Sequence, residues 1–312
     1  MLRWLGRLLL GIILLFAAFW LAALVRERDT SVPQTTTSFY TSLGNVTAQL
    51  SGPTAGTPVM IVPGTAGWSG FWRDVAAHLA GRGYRVIAVD LPPFGYSDHD
   101  PQKRYDRPHQ AERLSALILS VGKPVIVVGH SFGAGAATEL ALRYPKLVTR
   151  LVLVDAALGK LDPAGPGGNR LLGIPVITQP IIAASLTNPW AIGWLSRSML
   201  HRKEAAAAWR DTLRQPMRRP GTTAAYAAWV PALFAGDDGG RSRRSAELAK
   251  IKMPVALIWG EADTVTPIAQ GEALAKLTHA SLTRLRGVGH IPHIEDPAHF
   301  LPALDAALGG KP

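Results

Sequence analysis

The chain has 312 residues, of which 18% are charged and 47% hydrophobic, and it contains no cysteine. That length and balance suit one large globular core with an insertion and exclude a disordered chain, while the missing thiols exclude disulfides and thiolate metal sites. The net charge is +11, and residues 156–250 carry 13 basic against 6 acidic side chains, yet no compact basic run is interleaved with aromatics, so nucleic-acid binding is not expected.

The first element is an uncharged run, Leu8 to Val25, which with Trp4 and Leu5 reaches the ~20 residues a helix needs to cross a bilayer core. Trp4 and Trp20 stand where indole rings favour the two interfaces. A cleaved signal peptide competes with this reading, but the apolar core exceeds the usual ~7–15 residues and LAALVRERD is a poor small-residue cleavage site. The expectation is a transmembrane anchor over residues 4–25. Arg3, Arg7 and the α-amino group precede it, and Arg26 and Arg28 follow it. This slight bias places the N-terminus in the cytoplasm and the remaining chain outside it, periplasmic or extracellular. Residues 26–37 are polar and read as a tether.

Strand-like runs follow at Ser38–Leu43 and Val46–Leu50, then at Pro58–Val62 (PVMIV), Tyr84–Asp90 (YRVIAVD), Pro124–Val128 (PVIVV) and Leu151–Asp155 (LVLVD). Helical patterns over Phe71–Ala80, Pro108–Val121 and Phe132–Tyr144 separate them. Continuous apolar strands are covered on both faces, as in a parallel sheet flanked by helices, and the β-α-β order has the same meaning. The alternation stops at Ala156. Until Lys250 the chain carries helical pieces and Pro/Gly punctuation. It resumes with the strand Pro254–Trp259, the helix Pro267–Leu277, the strand Ser281–Leu285 and a last helix, Pro297–Leu308. The predicted division is therefore a core of residues 38–155 and 251–312, interrupted by a helical cap over 156–250.

Gly129-His130-Ser131-Phe132-Gly133 is a G-x-S-x-G between a strand and a helix. That context asks Ser131 to occupy a sharp turn with its hydroxyl projecting above the sheet, between small neighbours. A serine hydroxyl needs a base to become a nucleophile. His290, on the Gly-rich loop Gly287–Pro292, is the favoured base, and His293 is the rival, better suited to packing or capping. The imidazole in turn needs an orienting carboxylate. Asp263, between a strand and a helix, fits; Glu261 and Asp155 are the alternatives. An oxyanion hole needs two donors, for which the backbone N–H groups of Phe132 and of Thr65, in the loop after PVMIV, are the candidates.

Taken together, GHSFG (129–133), DLPPFGYSD (90–98), WGEADTVTP (259–267) and GVGHIPHIEDP (287–297) resemble the α/β-hydrolase superfamily over residues 38–309, with 156–250 matching only as a variable cap. The resemblance implies a mostly parallel central sheet flanked by helices, a Ser131/Asp263/His290 triad, and no metal or organic cofactor. Serine at 131 sets the chain apart from the epoxide hydrolases and haloalkane dehalogenases, which use aspartate there. The chain departs from the pattern at Pro63-Gly64, where relatives usually carry His-Gly; proline removes only its own N–H, so the donor at Thr65 is kept.

The expected activity is hydrolysis of a small apolar ester or acyl substrate. Carbon–carbon bond hydrolysis, acyl transfer and perhydrolysis are alternatives on the same residues, and a membrane-tethered binding protein on an inactive scaffold is the non-enzymatic one. Trp190, Trp194, Trp209, Trp229 and the run IPVITQPIIAASL (174–186) read either as the cap's own core or as a wall for the substrate. Arg218, Arg219, Arg241, Arg243 and Arg244 read either as anion-facing or as solvated. The Asn45-Val46-Thr47 sequon reads as chance.

Overall fold

A computed structural model describes residues 2–165, 167 and 170–310; Lys311 and Pro312, at the end of the predicted core, lie outside the described residues. Helix α1 (Leu2–Arg26) is followed by strands β1 (Thr36–Phe39), β2 (Val46–Ser51) and β3 (Pro58–Val62). Then come α2 (Arg73–Gly81), β4 (Arg85–Val89), α3 (Arg107–Val121), β5 (Val125–His130), α4 (Phe132–Arg143) and β6 (Val148–Val154). The 156–250 segment holds α5 (Pro175–Ala184), α6 (Ala191–Ser198), α7 (Arg210–Arg214), α8 (Thr222–Phe234) and α9 (Ser245–Leu248). The chain closes with β7 (Val255–Gly260), α10 (Ile268–Thr278), β8 (Ser281–Leu285), α11 (Pro292–Glu295) and α12 (Pro297–Ala307).

The eight strands form one sheet in the order β1-β2-β4-β3-β5-β6-β7-β8. Only the pairs β1–β2 and β2–β4 are antiparallel; from β4 to β8 every pair is parallel. Strands β3 and β5 are buried at every residue, because helices cover both faces, and this is why their sequences run apolar without alternation. At the edge, β8 is largely exposed, and its run SLTRL is polar at most positions. Helix α3 is capped at both ends: the Asp106 carboxylate accepts from the His109 N–H, and Gly122 closes the other end at φ 78°.

The predicted core elements recur with small shifts at their ends. The first strand is the exception. It spans Thr36–Phe39 rather than Ser38–Leu43, and so overlaps the end of the predicted tether. The cause is local: Gly44 N–H bonds to the Thr41 carbonyl, the Thr41 hydroxyl returns a bond to the Gly44 carbonyl, and Gly44 takes φ 98°, which makes a turn of 41–44. The tether is also less free than its composition suggests. Glu27 is buried against Thr223, and the Asp29 N–H bonds to the Arg218 carbonyl at 3.1 Å.

Helix α1 is long and apolar enough to cross a membrane, and most of its side chains are exposed. Among the described residues the 156–250 segment holds helices and loops and no strand beyond one isolated bridge, Gly167–Ala235. Arg107, buried at the start of α3, ties down both ends of that segment. It donates to the Ala157 and Leu158 carbonyls at 3.2 and 2.7 Å and to the Ser242 hydroxyl at 3.3 Å.

Candidate active site

Ser131 sits between β5 and α4 at φ 50°, ψ −122°, a region that costs an L-residue of order 1–3 kcal/mol and persists only where surrounding structure enforces it. Its N–H bonds to the Val154 carbonyl at 3.0 Å, and its carbonyl accepts from the N–H groups of Ala134 and Ala157 at 3.0 and 3.1 Å. The glycines around it are steric requirements. A Cβ on Gly133 would lie 2.2 Å from the Pro63 carbonyl oxygen, and one on Gly129 would lie 2.7 Å from the Ala137 Cβ. Gly64 leans directly on the serine, since a Cβ there would meet the Ser131 Cβ at 2.8 Å.

The three predicted side chains come together. His290 Nε2 lies 2.8 Å from Ser131 Oγ, and His290 Nδ1 lies 2.7 Å from Asp263 Oδ2. An ionised carboxylate only accepts, so Nδ1 carries the proton toward Asp263 and Nε2 is left to accept from the serine hydroxyl. Asp263 is fixed by the N–H groups of Val265 (2.7 Å) and Thr266 (2.9 Å) and by the Thr266 hydroxyl. Burial alone would raise the Asp263 pKa, yet the hydrogen bonds from His290 and Thr266 and the His290 charge hold it below the usual carboxylate range. All three groups are buried.

The histidine loop is held from two sides. His130 Nε2 donates to the His290 carbonyl at 2.8 Å. Glu295 accepts from the N–H of Gly289 at 2.9 Å and of Arg202 at 2.7 Å, and the His290 N–H bonds to the Met199 carbonyl at 3.0 Å. The 156–250 segment therefore takes part in fixing His290. Burial and the nearby His290 charge push the His130 pKa down to about 3, so this imidazole is neutral and holds its place as a donor.

The rival residues resolve by position. Glu261 is exposed. His293 is buried and stacks on Trp72 at 3.8 Å between ring centroids, with neither ring nitrogen partnered; burial pushes its pKa well down. Asp155 directly follows β6, at φ 42°, and lies beside Asp263. Its Oδ1 accepts from the Gly260 N–H at 2.8 Å. Burial, then the Asp263 charge, raise its pKa well above the usual value and favour the neutral acid. Asp155, Asp263 and His290 also lie close enough together to hold a metal ion, but His290 Nδ1 and Asp263 Oδ2 are already engaged with each other.

Phe132 and Thr65 offer backbone N–H groups with no hydrogen-bond partner among the described residues. The first opens α4, whose N-terminus favours negative charge. The loop bearing Thr65 is set by Asp90, whose carboxylate takes the N–H groups of Ser69 (2.6 Å) and Tyr96 (2.8 Å) and the Thr47 hydroxyl (2.9 Å). The DLPPFGYSD motif thus acts as a brace between loops. It buries Thr47, so the sequon's hydroxyl has an internal role.

The four tryptophans of the 156–250 segment do not act as one group. Trp229 is fully buried, 5.2 Å from the Phe132 ring and 5.0 Å from Phe94; Tyr226 meets the same Phe94 at 5.0 Å. Trp209 packs on Phe71 and under the Arg73 guanidinium. Trp190 and Trp194 are exposed and neither fill a core nor reach the site. The 174–186 run packs on α1 and α8, with part of it left exposed. Of the arginines, Arg219 and Arg243 are internal ties, to the Gly95 and Ser97 carbonyls and to Asp238.

Residues 57–297 match the family described as the alpha/beta hydrolase fold, and the chain belongs to that family. The 2-hydroxymuconate semialdehyde hydrolase of Pseudomonas sp. strain CF600 is 30% identical over 255 residues, covering 79% of this chain and 84% of that one. Among solved structures, the 2-hydroxy-6-oxo-6-phenylhexa-2,4-dienoate hydrolase of Rhodococcus sp. strain RHA1 superposes with a TM-score of 0.72 at 19% identity, covering 88% of this chain and 98% of its own. A membrane phospholipase A, titled a bacterial virulence factor, superposes with a TM-score of 0.65 at 21% identity, covering 99% of this chain and all of its own.

Proposed function

We propose that the protein is a serine hydrolase of ester-type, lipid-like substrates, with Ser131 as nucleophile, His290 as base and Asp263 as its orienting acid. The observation that carries this reading is the unbroken chain from Ser131 Oγ through the His290 ring to Asp263, 2.8 and 2.7 Å, at a strained strand–helix turn. Ser131 Oγ attacks the ester carbonyl as its proton passes to His290 Nε2. The oxyanion accepts from the Phe132 and Thr65 N–H groups. His290 returns the proton to the departing alkoxide, leaving an acyl-enzyme. A water then gives its proton to His290 and attacks the acyl carbon, releasing the acid and restoring Ser131.

In the same reading residues 4–25 are a retained membrane anchor, 26–37 its tether and 156–250 a cap. The cap's Tyr226 and Trp229 form an aromatic wall over Phe94 and Phe132, which suits an apolar acyl group. A second reading, carbon–carbon bond hydrolysis on the same residues, is favoured by the 30% identity to the semialdehyde hydrolase.

The test is labelling by a fluorophosphonate probe, with turnover of short-chain esters, monoacyl lipids and a vinylogous 1,5-diketone measured in parallel. Ser131→Ala should abolish labelling and lower turnover by about four to six orders of magnitude with the circular dichroism spectrum unchanged. Labelling that survives the substitution would refute the assignment, and turnover of the diketone in preference to every ester would select the second reading.

A further inference from the structure

Helix α1 is not a free-standing rod. Between Phe16 and Glu27 runs a stripe in which Ala23 and Glu27 are buried and Phe16, Phe19, Trp20 and Arg26 are half-buried. Spacings of three and four place these on one face, and α5 packs against the helix. The contacted stretch is the C-terminal part of the apolar run, about 15 Å of helix. Where that run lies in the hydrocarbon of one leaflet, an element packed against it lies at the same depth.

The composition of α5 matches that placement. PVITQPIIAA carries no charge, and it is the one shorter apolar helix of its kind among the described residues. Thr178 is buried and returns its hydroxyl proton to the Ile174 carbonyl at 2.7 Å. Val176 is 73% exposed, and Ile177 and Ile181 about 40%. Continuous apolar side chains on the outer face of a helix are unfavourable in water and favourable in a leaflet.

Beyond α5 the surface changes character as a bilayer does. Trp190 and Trp194 are 82% and 69% exposed and line one depression with four cations, Arg197, Lys203, Arg210 and Arg214, against one carboxylate, Glu204. Indole rings bordered by cations are suited to the headgroup layer, with anionic lipids favoured.

We propose that α5 is embedded beside α1 in the adjoining leaflet, so that the cap rests on an anionic bilayer with Trp190, Trp194 and the neighbouring arginines at headgroup level. This rests on the reading of α1 as a retained anchor. Because α5 also packs on α8, which carries Tyr226 and Trp229, a leaflet-borne acyl chain meets the cap at the bilayer rather than through water.

The chain has no cysteine, so single labels can be placed without background. Full-length Ile13→Cys, Val176→Cys and Leu119→Cys variants, carrying an environment-sensitive fluorophore, would be reconstituted in phosphatidylethanolamine–phosphatidylglycerol vesicles. They would then be exposed to brominated acyl lipids or to aqueous iodide. Leu119 is exposed near the end of α3, just before β5 begins, at the sheet edge opposite Ser131. Quenching by brominated lipid at positions 13 and 176 should exceed that at 119 at least threefold, with the reverse order for iodide. A label at 176 that behaves like 119 while 13 is quenched would overturn the docking and leave the anchor standing. A label at 176 shielded from iodide but not quenched by brominated lipid would mean a second copy of the chain covers α5, and would also overturn it. An unquenched label at 13 would remove the anchor itself. Fluorophosphonate labelling of Ser131 in the same vesicles reports the hydrolase reading separately.

Discussion

Behind Ser131 two carboxyls and an imidazole share one buried space, and their protons decide which carboxyl serves the histidine. Asp263 is supported by three donors besides His290 and favours the charged form, whereas Asp155 takes one backbone donor among the described residues, the Gly260 N–H, and favours the neutral one. The difference follows from burial and the Asp263 charge acting on Asp155, against the hydrogen bonds and the His290 ring that hold Asp263 charged. Asp263→Asn should therefore lower turnover about 10⁴-fold, because an amide cannot hold the imidazole in the tautomer that accepts from serine. Asp155→Asn, which keeps a neutral hydrogen-bonding group, should cost less than about tenfold in kcat, measured on the same ester. Equal losses in the two variants would mean that Asp155 is the working acid.

At the scale of elements, the short helix α11 shows how a functional loop is anchored by packing. Pro292 starts it, and the helix carries both Glu295, which holds Gly289, and His293, which stacks on Trp72. His293 is a neutral buried imidazole whose folded pKa lies well below its unfolded value near 6.5. The unfolded chain thus binds the extra proton as pH falls through that value, and the native state loses stability on the acid side. His293→Phe removes the effect. From pH 6 to pH 5, the variant's unfolding free energy relative to wild type should rise by about 1 kcal/mol, read from urea titrations at each pH. A difference that stays flat with pH would show that His293 is not held neutral.

For the whole molecule, the decisive connection is between α1 and the 156–250 segment. Gly221 precedes α8 and has no side chain to cap it; instead the buried Glu27 carboxylate accepts from the Thr223 N–H at 2.9 Å and from its hydroxyl. The residue that ends the apolar helix therefore caps the helix that carries Tyr226 and Trp229. Leaving that N–H unsatisfied costs about 1–3 kcal/mol. Glu27→Ala should speed amide exchange across 222–230 by about tenfold or more, a tenfold change being ~1.4 kcal/mol, while 114–118 in α3 is unchanged. Unaltered exchange across 222–230 would mean that α1 and the 156–250 segment are mechanically independent.

Much of this architecture was legible in residue order alone. Apolar runs such as PVMIV and PVIVV announce strands covered on both faces, and G-x-S-x-G between a strand and a helix announces the serine's turn, because both signals are local and sterically enforced. The placement of Asp263 and His290 after late strands was legible for the same reason. What residue order left open was long-range. Asp155 and Asp263 are equivalent as residue types, and the burial, neighbouring charge and donors folded around each separate their charge states. Exposed Trp190 and buried Trp229 differ because Trp229 packs on Phe94 and Phe132, far away in sequence. The loop over the serine depends on Asp90, and the start of α8 on Glu27, 196 residues away. Local sterics and hydrophobic pattern thus determined the elements and the turn at Ser131; burial and hydrogen bonding between distant segments, which exist only in the folded chain, decided the protonation, the shape of the 156–250 segment and its attachment to α1.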